Sequence, residues 1–335
     1  MNKTEISISP KSVVTIVVIL LAFVFLWMIR DIVAVLFVAL ILSAAFTPIV
    51  DFLQRYKIPR AIAVILIYAV FLALLSLLII KLSGPIAEQI GNIARDLPSY
   101  YQELNQSITK FQGTSEVFAN YRFGQLTGGL DQVIRNLTGF ASGNALSVLS
   151  AFFGSIVSLV LIFVITFYLI VQEGAVKKFL IWIVPQQHED HTALLFDKIQ
   201  KKIGMWFRAQ LLLSLIIFVL SYIGLTILGI RYALVLALFS GFAEVIPYVG
   251  PVIGAVPAVF LTLTGYGWAR ALMVLIMHVI IQQAENNFIV PKVMARSVGL
   301  NPLIVILSIV IGAKMAGITG AIIAVPLATA ITVYL

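Results

Sequence analysis

Long apolar runs alternate with short polar interruptions along the chain, and a helix needs ~20 mostly apolar residues to cross a bilayer. Runs of that length lie at 12–29, 32–50, 60–81, 147–171, 209–229 and 270–290. Each predicts one spanning helix, because in hydrocarbon a segment must satisfy its own backbone hydrogen bonds. Two further apolar blocks, 232–264 and 302–335, are too long for one comfortable span. The first is interrupted by YVGP at Tyr248–Pro251 and the second by AGITG at Ala316–Gly320. Each block reads as two half-length helices joined by a break, either a re-entrant hairpin or a pair of crossings.

The large polar segment, 83–145, predicts an extracytoplasmic amphipathic insertion. Ile86, Ile90, Ile93, Leu97, Leu104, Ile108 and Phe111 recur at three- and four-residue spacing, one stripe on a helix continuing from the third span. Pro98 is expected to kink or reset it. A weaker stripe, Leu126, Leu130, Val133 and Leu137, packs back on it. Two readings stay open: a solvated helical pair covering the membrane part, or a surface for self-association. The segment 189–207 is amphipathic too, with Leu195, Ile199, Ile203 and Trp206 on one face, and its lysines suit anchoring at anionic headgroups. The domain reading is 1–82 for the first three helices, 83–145 for the insertion, 146–208 for a span and a cytoplasmic amphipathic helix, and 209–335 for a transport core. The fold class is an all-α polytopic membrane protein of about eight transmembrane helices, with two interrupted or re-entrant hairpins forming an inverted repeat.

Composition agrees: 61% of residues are hydrophobic and 11% charged, with mean hydropathy +1.09. The net charge of +8 collects in short segments beside apolar spans, where it sets orientation rather than nucleic-acid binding. The segments 51–60, 172–208 and 291–301 carry the lysine and arginine excess and fall on one side by alternation, which predicts both termini in the cytoplasm. Lys3 and Lys11 precede the first run, which is longer than a signal-peptide core and lacks a clear cleavage site, so a retained span is expected. With no cysteine, disulfides, thiolate metal sites and cysteine nucleophiles are excluded.

The stretch EVIPYVGP places Glu244, Pro247, Gly250 and Pro251 together in apolar surroundings. Proline removes a donor and clashes with the preceding turn, so the break exposes backbone groups that only protein or water can satisfy. A loop at the bilayer surface is the bland alternative. Aligning 234–257 with 303–326 superposes both breaks, with Lys314 one position from the counterpart of Glu244 and with Gly317 and Gly320 in the second break. The blocks enter from opposite sides, the sequence mark of inverted repeats around a midplane site. A charge at the bilayer centre costs ~2.5–3.5 kcal/mol on insertion scales, so Glu244 reads as a pathway residue, while Lys314 either joins it or snorkels to a headgroup.

Between the blocks, His278, Gln282 and Glu285 share one helix face, and Gln283, Asn286 and Asn287 form a neighbouring strip. These polar groups either line a wet path, with histidine and carboxylate as a proton relay, or glue helices by hydrogen bonds. No HExxH, GxxxxGK[ST] or GxSxG occurs, so neither a metal, a cofactor, catalytic residues nor ATP hydrolysis is expected.

EVIPYVGPVIGAVPA, QQAENNFIVPKVMARSVGLNPL, IGAKMAGITGAIIAVPLA and the earlier FTPIVDFLQRYKIPRAIAVILIY together resemble the autoinducer-2 exporter family of PerM-like permeases. The resemblance covers nearly the whole chain in order. It implies a homo-oligomeric protein of the bacterial inner membrane, with a pentamer favoured. It also implies export of the quorum-sensing signal autoinducer-2 or, for some members, sodium–proton antiport. The family's motif residues map to Glu244, Pro247, Gly250, Pro251, Gln283, Glu285, Asn286, Pro291, Gly299, Pro302, Gly317, Gly320 and Pro326. Leu335 falls inside an apolar segment without a polar tail, as in a trimmed member. The expected partners are the lipid bilayer and a small polar solute or a monovalent cation or proton. The leading function is a secondary transporter; the rivals are a sodium/proton antiporter and a membrane assembly or structural protein.

Overall fold

The computed structural model describes residues 28–112, 145–172, 174–294 and 301–334, with a few positions between 15 and 25. All regular elements among these residues are helices. In order they are α1 (Arg30–Gln54), α2 (Arg60–Gln112), α3 (Ala145–Val171), α4 (Ala175–Ile183), α5 (Glu189–Ile227), α6 (Ala233–Ala243), α7 (Gly250–Tyr266), α8 (Trp268–Ala284), α9 (Val290–Met294) and α10 (Pro302–Tyr334). A π turn, Glu285–Ile289, joins α8 to α9. Five helices are long and apolar enough to cross a membrane, and six if α3 and α4, which meet at a 77° bend, count as one span. The first expected run, 12–29, and the second stripe of the insertion lie largely or wholly outside the described residues.

The α2 helix continues from its apolar part through Pro98 to Gln112, so the chain does not leave the helix at that proline. Its polar extension clamps the following hairpin. Tyr232 Oη donates to Asp96 Oδ2 at 2.6 Å, and Gln89 Oε1 accepts from the backbone N–H of Val235 at 3.1 Å in the first turn of α6. Ile93 packs on a core cluster that includes Leu225, Tyr232, Ala237, Leu261 and Val274. The amphipathic segment 189–207 and the next apolar run are one 39-residue helix, α5. Its Ile203 and Trp206 are buried, whereas Lys198 and Lys201 are exposed, as the spacing predicts.

Both interrupted blocks fold back on themselves. A Cβ built on Gly250 would overlap the carbonyl of Ala243, and one on Gly254 would come within 2.9 Å of Ser240 Cα, so α6 and α7 are antiparallel arms in close contact. The helical trace of α10 breaks at Ala316 and Gly317, with Gly317 at φ 62° and ψ −143°. That conformation is open essentially to glycine alone. A Cβ on Gly312 would overlap the Gly320 carbonyl, and the reverse holds for Gly320. Residues on either side of the break therefore touch, and α10 is a hairpin of two arms. Ile246 and Val249, at the tip of the first hairpin, pack on a cluster that includes Val305, Ile309, Ala321 and Val325 from both arms of the second.

Candidate functional site

The first break begins where α6 ends. Glu244 caps that helix, and the chain returns to helix at Gly250, with Pro251 in the first turn of α7, where its missing N–H costs nothing. Between them Val249 donates its N–H to the Pro247 carbonyl at 2.7 Å, closing a γ-turn around Tyr248 at φ 64°. A tyrosine in the left-handed region is uncommon and costs of order 1–3 kcal/mol, so the fold holds this turn against its intrinsic preference. The break also frees the Glu244 carbonyl from its helical partner. Gln210 Nε2, from α5, donates to that oxygen. Because a carbonyl only accepts, this bond fixes the orientation of the amide and turns Gln210 Oε1 the other way.

A cavity of about 150 Å³ opens beside the turn. Gln210 and Trp206 of α5, Glu244, Pro247 and Tyr248 of the break, and Gln282, Glu285 and Asn286 of the α8 face line it, with Val305 and Val325 of α10 closing one wall. Glu244 is 1% exposed, Gln210 2% and Glu285 5%. The two carboxyl groups line the same cavity. Two carboxylates buried in one cavity repel each other, which favours a proton or a cation between them. Glu285 opens the π turn, a local widening of the helix that is rare and concentrates at functional sites.

Four oxygens of this cavity are buried without a partner: Gln210 Oε1, Glu244 Oε2, Gln282 Oε1 and Glu285 Oε2. A buried acceptor left unmade costs about 1–3 kcal/mol, so such groups call for an occupant. All four accept. The site therefore suits water, a solute rich in N–H or O–H donors, or a cation, and it disfavours an anion.

Of the residues singled out from sequence, the structure brings Glu244, Pro247, Gln282, Glu285 and Asn286 to this cavity. Gly250 and Pro251 stand just behind it, where α7 begins. His278 lies one turn further along α8, its Nδ1 donating to the Val274 carbonyl at 2.9 Å. Gln283 and Asn287 face outward and bond to each other, Asn287 Nδ2 donating to the Gln283 carbonyl at 2.9 Å. Lys314, Gly317 and Gly320 sit around the tip of the second hairpin and do not line the cavity; Lys314 is exposed. Gln210 is the residue that sequence reasoning missed. Its only signal was a lone amide near the start of an apolar run, and periodicity alone does not reveal which neighbour that amide meets. Among the described residues no group of three or more His, Asp or Glu side chains could hold a metal ion.

The profile of the AI-2E family transporter matches residues 15–335, and the chain belongs to that family. YueF of Bacillus subtilis is 31% identical over 296 residues, covering 86% of this chain and 79% of its own. YrrI of the same organism is 26% identical, covering 88% and 83%. The names of both give transport as a provisional role and state no solute. The AI-2 transport protein TqsA of Escherichia coli is 22% identical over 310 residues, covering 91% of this chain and 86% of its own. The chain is thus an integral membrane protein of a transporter family, helical in all regular elements among its described residues.

Proposed function

We propose that the protein is a secondary transporter exporting a small, donor-rich polar solute through the Glu244–Glu285 cavity, with autoinducer-2 as the family default. The observation that carries this reading is the set of four unpartnered buried acceptors in one cavity beside a broken helix. A hydroxylated solute offers donors to carboxylates and amide oxygens alike, and it leaves again because each bond is exchanged for one to water. The solute is moved and not chemically changed. The reading as an inverted pair rests on the two breaks, each in a hairpin, and the packing of the first tip on the second hairpin supports treating them as one unit. In this reading the protein has about eight spans, sits in the bacterial inner membrane with both termini cytoplasmic, and works as a homo-oligomer. The outward-facing amides of Gln283 and Asn287, costly against lipid, favour a covering subunit.

A second reading rests on the facing carboxyl groups. The same oxygens could hold a dehydrated monovalent cation in exchange for a proton, giving sodium/proton antiport. Sealed liposomes containing the purified protein separate the two. Uptake of labelled autoinducer-2 that is lost in Glu285→Gln supports solute transport. Sodium-dependent collapse of an imposed pH gradient, lost in the same variant, supports antiport. Neither flux, with normal insertion and assembly, would leave an assembly or structural role.

A further inference from the structure

The buried polar atoms without partners do not stop at the cavity. Beyond it, Ser214 Oγ and Ser221 Oγ on α5 and His278 Nε2 on α8 are also buried and unpartnered. Gln210, Ser214 and Ser221 stand at i, i+4 and i+11, one face of α5, and His278, Gln282 and Glu285 stand at i, i+4 and i+7 along α8 and into the π turn. The two helices run antiparallel, since Gln210 and Glu285 share the cavity while Gly224, fourteen residues on, meets Met277, eight residues back.

Hydroxyls elsewhere in the protein behave differently. Ser240, Thr262, Ser308 and Thr329 each donate to the carbonyl four residues back in their own helix, at 2.7–3.0 Å. That bond is available to any helical serine, and it fully satisfies the donor. Ser214 and Ser221 do not make it. The His278 ring commits Nδ1 to the Val274 carbonyl and leaves Nε2 directed away from its own helix. Two serines therefore forgo their local bond and one histidine keeps a ring nitrogen unpartnered within an apolar bundle, where each orphan is costly.

The stripe also has an end. A Cβ built on Gly224 would overlap Met277 Sδ, so the helices close on each other there. Leu225 and Val274, both fully buried, pack in the apolar cluster just beyond, against which Met277 rests.

We infer that a hydrated path leaves the carboxyl cavity between α5, α6 and α8, passes Ser214, whose carbonyl lies against Gly241 of α6, then His278 and Ser221, and is sealed at the Gly224–Met277 contact. This rests on the transporter reading of the cavity and adds to it the course of the path and the position of its seal. The seal lies toward the Trp268 end of α8, the side read as extracytoplasmic.

The test uses the absence of native cysteine. Single cysteines are placed at Ser214, Ser221, Tyr248 and, as a lipid-facing control, Leu215, in the full chain reconstituted in liposomes. A small, charged, membrane-impermeant thiol reagent reacts with thiolate, which forms only where water reaches. Ser214→Cys and Ser221→Cys are near-isosteric, and both should label at least about tenfold faster than Leu215→Cys. Adding Met277→Ala should speed Ser221→Cys labelling from the outer side and leave Tyr248→Cys unchanged. If Tyr248→Cys labels but Ser214→Cys and Ser221→Cys are as inert as the control, the cavity reading stands and the path is overturned. If Tyr248→Cys is inert as well, the cavity itself is dry and the transporter site fails with it. Fast Ser221→Cys labelling that Met277→Ala does not change would overturn the seal.

Discussion

The two hairpins are built alike and used differently. Each reverses at a break and packs its arms through glycine, with Gly250 and Gly254 in the first and Gly312 and Gly320 in the second. The first reverses over several residues. Its loop holds two buried-side groups, the Glu244 carboxyl and the Glu244 carbonyl, and a strained tyrosine beside a cavity. The second reverses within Ala316 and Gly317 and presents Ile318 and Lys314 outward. Its contribution to the cavity comes from Val305 and Val325, far from its own tip. A tight break packs arms closely and leaves little room for polar groups. A looser break, closed by prolines, exposes backbone that a neighbouring helix then has to satisfy. Resemblance between the two hairpins thus does not imply that both tips carry chemistry.

The largest expected effect lies in the second hairpin. Gly320→Ala sets a methyl group against the Gly312 carbonyl, and backbone on both sides leaves no flexible atom to yield. Overpacking of this kind costs roughly 1–3 kcal/mol or more. Folded protein recovered from membranes should fall sharply, and the remainder should melt at lower temperature in detergent. A normal yield and melting point would mean that the arms are not in contact.

Next comes Glu285→Gln, which keeps shape and hydrogen bonding and removes the titrating group. Transport should drop by about tenfold or more, the loss of one charge-assisted contact, while the melting temperature holds. Unchanged flux would remove the carboxyl pair from the mechanism and erase the functional difference between the hairpins.

Gln210→Leu removes the donor that satisfies the Glu244 carbonyl, leaving a buried acceptor at about 1–3 kcal/mol. Stability and transport should both decline, whereas Gln210→Asn, too short to bridge, should act similarly. A stable, active Gln210→Leu would show that water can replace the amide.

The smallest effect is expected for Lys314→Gln. An exposed lysine at the tip of the second hairpin contributes little to fold or cavity, so flux should stay within about twofold. A large loss would return the second break to the pathway and undo the contrast drawn above.

Much of this was legible from the chain alone. Apolar runs of spanning length locate α1, α2, α3, α5 and α8, because hydrocarbon forces each span to satisfy its own backbone. Pro247, Pro251 and Gly317 mark the two breaks, since missing donors and positive φ are local chemistry. The spacing of His278, Gln282 and Glu285 gives a shared face for the same local reason. Other features depend on contacts between distant residues. Nothing near Gln210 in sequence says that its amide will meet a carbonyl thirty-four residues later. The π turn that begins at Glu285 has no sequence signature here, and neither does the strained φ of Tyr248; both persist because packing overrides local preference. The alignment of the two blocks placed Lys314 beside the position of Glu244, yet Glu244 lines the cavity whereas Lys314 is exposed outside it. Sequence determined which groups had to be buried at a cost. Only the tertiary structure decided which of them face one another, because facing is a property of how helices cross and not of the residues along any one of them.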